Sequence, residues 1–200
     1  MTCPAPRAHR IRRHLALHTL AGVAIFAGTA ARAAEMSVGV GAGFDRGQTD
    51  CVADYPCDHS DAFGKLFVGY RLDNGIEFRA TAFDAGRFQG GDTTPLGMPF
   101  GGRFKVSGVG LTAGYRWMFA PRWSLLGQAG VADVRTRFDD AAPFSGRFSD
   151  TKAQPLVGLG LAYDVTPQWR VSLDYDETRF KVYTTHGSLR LFGASAQTVF

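Results

Sequence analysis

Beyond Ala33 the sequence has no apolar run long enough for a membrane-crossing helix, which takes about 20 residues, and no stretch with the apolar period of an amphipathic helix. It is also poor in cysteine. Cys3 lies at the extreme N-terminus, and only Cys51 and Cys57 follow it. No His/Cys cluster with ligand spacing surrounds that pair, so nothing points to a metal. The third lack is a basic excess in the body of the chain. Formal charge is +4, from 22 Lys+Arg against 18 Asp+Glu. Five of the arginines (Arg7, Arg10, Arg12, Arg13 and Arg32) sit in the first 33 residues, which hold no acid, and removing them leaves 17 against 18. A nucleic-acid partner, which needs a basic face on the folded domain, is not expected.

What is present begins with the N-terminus. Arg7 to Arg13 form a positive region, Leu15 to Ala30 an apolar one, and Ala31-Arg32-Ala33 fits a small-x-small cleavage site. Residues 1–33 are therefore expected to be a signal peptide and 34–200 the mature domain. The alternative, an N-terminal anchor helix, fits less well, because the run is short and broken by His18, Gly22 and Gly28. Export into an oxidising compartment allows a disulfide between Cys51 and Cys57, with two free thiols as the other reading.

The remaining chain is 45% hydrophobic over the whole sequence and holds 25 glycines, a poor composition for helix. Eight segments alternate with period two: 36–44, 63–72, 76–84, 105–119, 123–135, 153–165, 169–177 and 188–200. Three of the seven connections are three residues long (Asp73-Asn74-Gly75, Ala120-Pro121-Arg122 and Thr166-Pro167-Gln168), and they alternate with long ones over 45–62, 85–104, 136–152 and 178–187. Strict long/short alternation predicts an all-β, eight-stranded antiparallel up-and-down transmembrane β-barrel, with the short turns periplasmic and the long loops external.

The two faces of each segment differ in size. Leu66, Val68, Tyr70 and Leu72 oppose Lys65, Phe67, Gly69 and Arg71. Val109, Leu111, Ala113, Tyr115 and Trp117 oppose Gly108, Gly110, Thr112, Gly114 and Arg116. The interior of eight strands is just wide enough for side chains. Glycine and small residues inside leave room for a few long charged ones, so the bulky face is expected to meet lipid. Tyr70, Tyr115, Trp117, Phe119, Trp123, Tyr163 and Trp169 gather near the short turns, where a periplasmic aromatic girdle belongs.

Register across the short turns puts Arg71 opposite Glu77 and Asp164 opposite Arg170, both pairs facing inward near the periplasmic end. Arg79, Arg116, Gln128, Asp174 and Asp176 extend this into an interior ion-pair layer. Buried charges persist only when paired. Such a layer can be a polar plug or a gate for a narrow pore, and the plug is the simpler reading.

With these residues in view the chain resembles the OmpA-like transmembrane-domain family of small outer-membrane barrels. The resemblance rests on SVGVGAGF, the Cys51…Cys57 loop, FGKLFVGYRLDNGIEFRATAFDAGRF, WSLLGQAGVADVR and PLVGLGLAYDVTPQWRVSLDYD. It implies an integral outer-membrane protein with a structural or surface role and at most a narrow pore, no cofactor, and outer-membrane lipid and lipopolysaccharide as surroundings. Periplasmic chaperones and the outer-membrane assembly machinery are the implied handlers, with Phe200 as the terminal aromatic of the assembly signal. Surface adhesion through the long loops, which carry Phe88, Phe100, Phe104, Phe138, Phe144 and Phe148, is the alternative, with host surface molecules as partners. A lipid A-modifying enzyme would need an acid beside His186 and Ser188. No acid follows Ser188, which leaves only Asp176 or Glu177 of a neighbouring strand, so an enzyme is not expected.

Overall fold

The computed structural model describes residues 34–48, 60–93, 99–140, 147–182 and 185–200. Among these residues eight strands form one closed barrel in chain order: β1 (Glu35–Gln48), β2 (Ala62–Arg71), β3 (Ile76–Thr93), β4 (Pro99–Ala120), β5 (Trp123–Asp140), β6 (Arg147–Asp164), β7 (Trp169–Val182) and β8 (Thr185–Val199). All neighbours are antiparallel, and β8 closes on β1. Closure leaves no free edge, which is what allows strands to cross lipid.

The barrel is inside-out. Val40, Leu66, Leu111, Val131, Leu159 and Leu173 are exposed on the outer wall, while Lys65, Glu77, Arg79, Arg116 and Arg170 are buried inside. The alternation in β2 is regular from Ala62 to Tyr70. The last strand turns Ala194, Ala196 and Thr198 outward, between Leu173 and Val171 of β7 and Ala42, Val40 and Val38 of β1. Ala194 and Ala196 floor a shallow groove in the lipid-facing wall.

Each short turn has a physical cause. Between β2 and β3, Leu72 and Ile76 close the turn through the Ile76 carbonyl, which accepts from Leu72 N–H at 2.8 Å, and Gly75 takes φ 87°. Asn74 adds a side-chain acceptor for Ile76 N–H at 3.1 Å. Between β6 and β7 the Thr166 hydroxyl accepts from Trp169 N–H at 3.0 Å.

The long connections are shorter than the sequence predicts. Much of 85–104 and 136–152 is strand, so β3 to β6 rise well past the 9–11 residues a bilayer needs. Two features explain this. A bulge between Asp84 and Arg87 shifts the face of β3 by one residue, which hides the continuing alternation. Above it Phe88, Phe104, Phe138 and Phe148 stand directly opposite one another across four strands, and aromatic residues favour strand. Four of the six phenylalanines expected to be scattered on loops thus lie in one register row, and Phe100 lies further along β4, opposite Asp92. Phe144, like Cys51 and Cys57, lies outside the described residues.

The outer ends of β1, β2 and β3 are tied by Asp45. Its buried carboxylate accepts Asp61 N–H at 2.6 Å and Gly86 N–H at 2.8 Å. Asp61 in turn accepts Arg87 N–H at 2.7 Å and Ala62 N–H at 2.8 Å, and these two donors hold its carboxyl below the usual carboxylate range.

Candidate functional site: a two-layer interior

The lumen is filled in two layers. The lower one, toward the short turns, is ionic. Arg71 stands opposite Glu77 in the ladder, but the two do not pair. The Arg71 guanidinium goes to Glu35 on the neighbouring β1. Glu35 also takes Arg170 at 2.9 Å, and Arg170 holds Asp164 through its Nε. Glu77 lies at the centre of a second group. Arg116 Nε reaches its Oε2 at 2.6 Å and Arg116 Nη2 its Oε1 at 3.1 Å, while Arg79 Nη2 donates to Oε1 at 2.8 Å. Arg116 spends a further donor on Ser124 Oγ at 3.1 Å.

A third group crosses the barrel. Lys65 of β2 donates to Asp176 of β7 at 2.6 Å and lies 3.1 Å from Asp174. Ser195 donates to Asp174, and Gln128 donates to Asp176 at 3.2 Å. The layer balances: Lys65, Arg71, Arg79, Arg116 and Arg170 face Glu35, Glu77, Asp164, Asp174 and Asp176, five against five. Phe67, two positions along this face of β2, lies under the Arg79 guanidinium at 4.3 Å, a cation–π contact.

Glycine makes the room. A Cβ on Gly158 would stand 2.4 Å from Asp176 Oδ1 and 2.7 Å from Gln128 Nε2, and one on Gly39 would stand 2.4 Å from the Phe67 ring. Gly158→Val is therefore expected to displace Asp176 from Lys65 and cost about 1–3 kcal/mol by overpacking. Reduced midpoints in urea unfolding from lipid vesicles would show it. Gly64→Ala, which meets nothing within 4 Å, is the neutral control.

The upper layer is apolar, and the sequence reading missed it. Phe63, Phe83, Val106, Val134, Leu156, Phe180, Leu189 and Leu191 form a buried cluster on the outer side of Lys65. The signal was available in part: Phe83 continues the inward set of Glu77, Arg79 and Thr81, and Leu156 that of Gly158 and Gly160. Glu35 was also missed, one residue before the segment assigned to the first strand. The alternation places Lys65 on the inward face of β2, but local sequence does not show its partners across the lumen.

The aromatic residues near the turns face outward. Tyr70, Tyr115, Trp117, Trp123 and Trp169 are exposed, and Tyr163 is half-buried against Trp123 with ring centroids 4.9 Å apart. Phe200 is exposed, and its backbone pairs with Met36 at 2.8 Å and 3.3 Å. The candidate acids near Ser188 are committed elsewhere. Asp176 points into the lumen to Lys65, and Glu177 accepts the Tyr175 hydroxyl on the outer wall. The described residues hold no group of three His, Cys, Asp or Glu able to bind a metal.

The family profile of the outer membrane protein beta-barrel domain matches residues 18–197. No curated protein sequence matches the chain. Among solved structures, Neisserial surface protein A superposes with a TM-score of 0.59 at 16% identity, covering 82% of this chain and 96% of the other. Ail, the attachment invasion locus protein of Yersinia pestis, solved with the heparin analogue sucrose octasulfate, gives 0.55 at 20% identity, covering 84% and 99%. OprG from Pseudomonas aeruginosa gives 0.51 at 13% identity, covering 84% and 96%. At these identities the likeness is one of fold. The closed inside-out barrel and the profile match together place the chain in the outer membrane, as a member of the outer membrane protein beta-barrel domain family.

Proposed function

We propose that this barrel is a closed surface protein that works through its external hairpins in attachment, rather than a conduit. The observation that carries the reading is the double filling of the lumen. An ion-pair layer with five cations and five carboxylates lies beneath an apolar layer of Phe63, Phe83, Phe180, Leu189 and Leu191. Water and ions would have to cross both, and neither layer leaves its charges unpaired. The polar plug, not the gate, is the role assigned to Arg71, Glu77, Asp164, Arg170, Arg79, Arg116 and Asp174.

With the interior filled, the outward parts are left to act. β3 to β6 project beyond the membrane as two long hairpins. Ail is by its name an attachment protein, and its complex with a heparin analogue gives this reading a precedent within the same fold. The OmpA-like resemblance supports the same closed barrel. The remaining assignments follow from the reading. Residues 1–33 are removed on export, Tyr70, Tyr115, Trp117, Trp123, Tyr163 and Trp169 anchor the periplasmic interface, and Phe200 serves the assembly machinery. Lipopolysaccharide surrounds the barrel.

Two measurements test the function together. In planar bilayers the purified protein is expected to give no steady conductance steps. Cells displaying it are expected to adhere to host-cell surfaces severalfold better than cells displaying a variant with residues 94–98 and 141–146 replaced by Gly-Ser. Reproducible conductance with unchanged adhesion would overturn the reading in favour of a pore.

A further inference from the structure

The outward charges of the barrel are gathered at its outer rim, and most densely on β3, β4 and β5. Arg87 stands directly opposite Lys105, and Lys105 directly opposite Arg137. Arg135 lies two positions below Arg137, and Arg103 two above Lys105. All five are exposed or half-exposed on the outer wall. Neighbouring strands are about 4.8 Å apart, so the row of three spans about 10 Å. Like charges directly opposed destabilise a sheet unless something lies between them.

Two carboxylates of the same wall come near. Asp84 reaches Lys105 at 3.0 Å, and Asp133 lies two positions below Arg135. Asp139 stands opposite Arg103 and Arg147 in the ladder, so six cations against three acids leave an excess of three positive charges among the described residues of this wall. The opposite side of the barrel is different. There Arg46 faces Arg190, but Glu177 completes the row, 3.7 Å from Arg190 Nε.

Below the row, past Asp84, Ser107 and Arg135 and with Asp133 at its upper edge, the outer wall changes character. Ala80 and Ala82 are small, and with Val109, Leu111 and Val131 they line a groove on the lipid-facing side. A cationic row thus borders an apolar groove on one continuous wall, at the level where headgroups meet acyl chains. A soluble polyanion would use the row and leave the groove. A lipid uses both.

We propose that the outer wall of β3 to β5 is a binding site for an outer-leaflet lipid carrying two or more phosphates. The phosphates bridge Arg87, Lys105 and Arg137, and an acyl chain lies along Ala80, Ala82, Val109 and Leu111. Arginine suits this role because its guanidinium holds phosphate oxygens in pairs. The site uses the membrane placement of the barrel and is independent of the attachment reading.

The test uses protein purified from outer membranes and exchanged into phosphatidylcholine nanodiscs, titrated with diphosphorylated lipid A. The Arg87→Gln/Lys105→Gln/Arg137→Gln variant is expected to bind at least about tenfold more weakly, with monophosphorylated lipid A between. On the opposite side, where Arg179 is exposed two positions beyond Glu177 on β7, Arg46→Gln/Arg179→Gln/Arg190→Gln is expected to bind like the wild type. Heat-modifiable gel mobility checks that each variant is folded. The single variant Arg137→Gln, expected to weaken binding severalfold, serves if the triple does not assemble. Equal binding by wild type and the first triple, or equal loss in both triples, would overturn the proposal. So would displacement of the lipid by heparin, which would assign the row to a sulfated polysaccharide.

Discussion

Glu77→Ala is expected to lower the unfolding free energy of the barrel by roughly 3–5 kcal/mol, the usual cost of removing one partner from a buried ion group. Glu77 is the only carboxylate bonded to Arg116 and Arg79 among the described residues, at 2.6 Å and 2.8 Å, and all three side chains are buried. Without it the guanidiniums of Arg79 and Arg116, on the neighbouring strands β3 and β4, are left side by side in the lumen with only Ser124 to accept from Arg116. Glu77→Gln keeps the shape and an acceptor oxygen, and is expected to lose less. On the outer wall Asp84 pairs with Lys105 in a far more exposed setting, so Asp84→Ala is expected to stay within about 1 kcal/mol of wild type. Urea unfolding from lipid vesicles measures all three. A loss below about 1 kcal/mol for Glu77→Ala would mean that water solvates the two arginines, and the plug would then be a hydrated channel.

How much of this could be read in the sequence follows from the range of each interaction. Alternation is local, so the faces of β2, β4 and β7 were legible residue by residue. Register across a tight turn is also local, and the Arg71–Glu77 and Asp164–Arg170 ladder positions came out as expected. Side-chain pairing inside a closed barrel is not local. Arg71 prefers Glu35 over its ladder neighbour because Glu35 stands at the same depth on β1, a relation set by the β1–β2 register across a long connection. Lys65 meets partners 109 and 111 positions away only because closure brings β7 across from β2. The outer ends of β3 to β6 were hidden for another reason. The bulge after Asp84 breaks the period of β3 where the alternation would have carried on, and it made strands look like loops.

The layering has a physical logic. Eight strands leave a lumen only as wide as the side chains that fill it. The outer wall already faces lipid, so apolar contact alone cannot distinguish inside from outside. Paired charges can, because they are tolerated only where they meet their partners. The ionic layer therefore specifies which face turns inward, and the phenylalanine and leucine layer above it excludes water from the same lumen. Glycines such as Gly158 and Gly39 are the complement of both, since each inward Cβ they omit is space that Asp176, Gln128 or Phe67 occupies.

The second large effect is expected at Lys65. Lys65→Met removes the only cation that the described contacts give to Asp174 and Asp176, leaving two carboxylates in the lumen with Ser195 and Gln128 as their remaining donors. The single variant is expected to lose roughly 3–5 kcal/mol. The triple variant Lys65→Met/Asp174→Asn/Asp176→Asn removes the whole charge group while keeping its volume, and is expected to recover most of that loss, to within about 2 kcal/mol of wild type. Unfolding curves for the wild type, the single, the Asp174→Asn/Asp176→Asn double and the triple form a cycle that separates the cost of an orphaned charge from the worth of the pair. If the triple is no more stable than the single, Lys65 acts through its packing against Phe67, which it overlies at 6.0 Å, and not through its charge. If the single already equals the wild type, the carboxylates have found water, and the lumen beneath the phenylalanine layer is open to the periplasm.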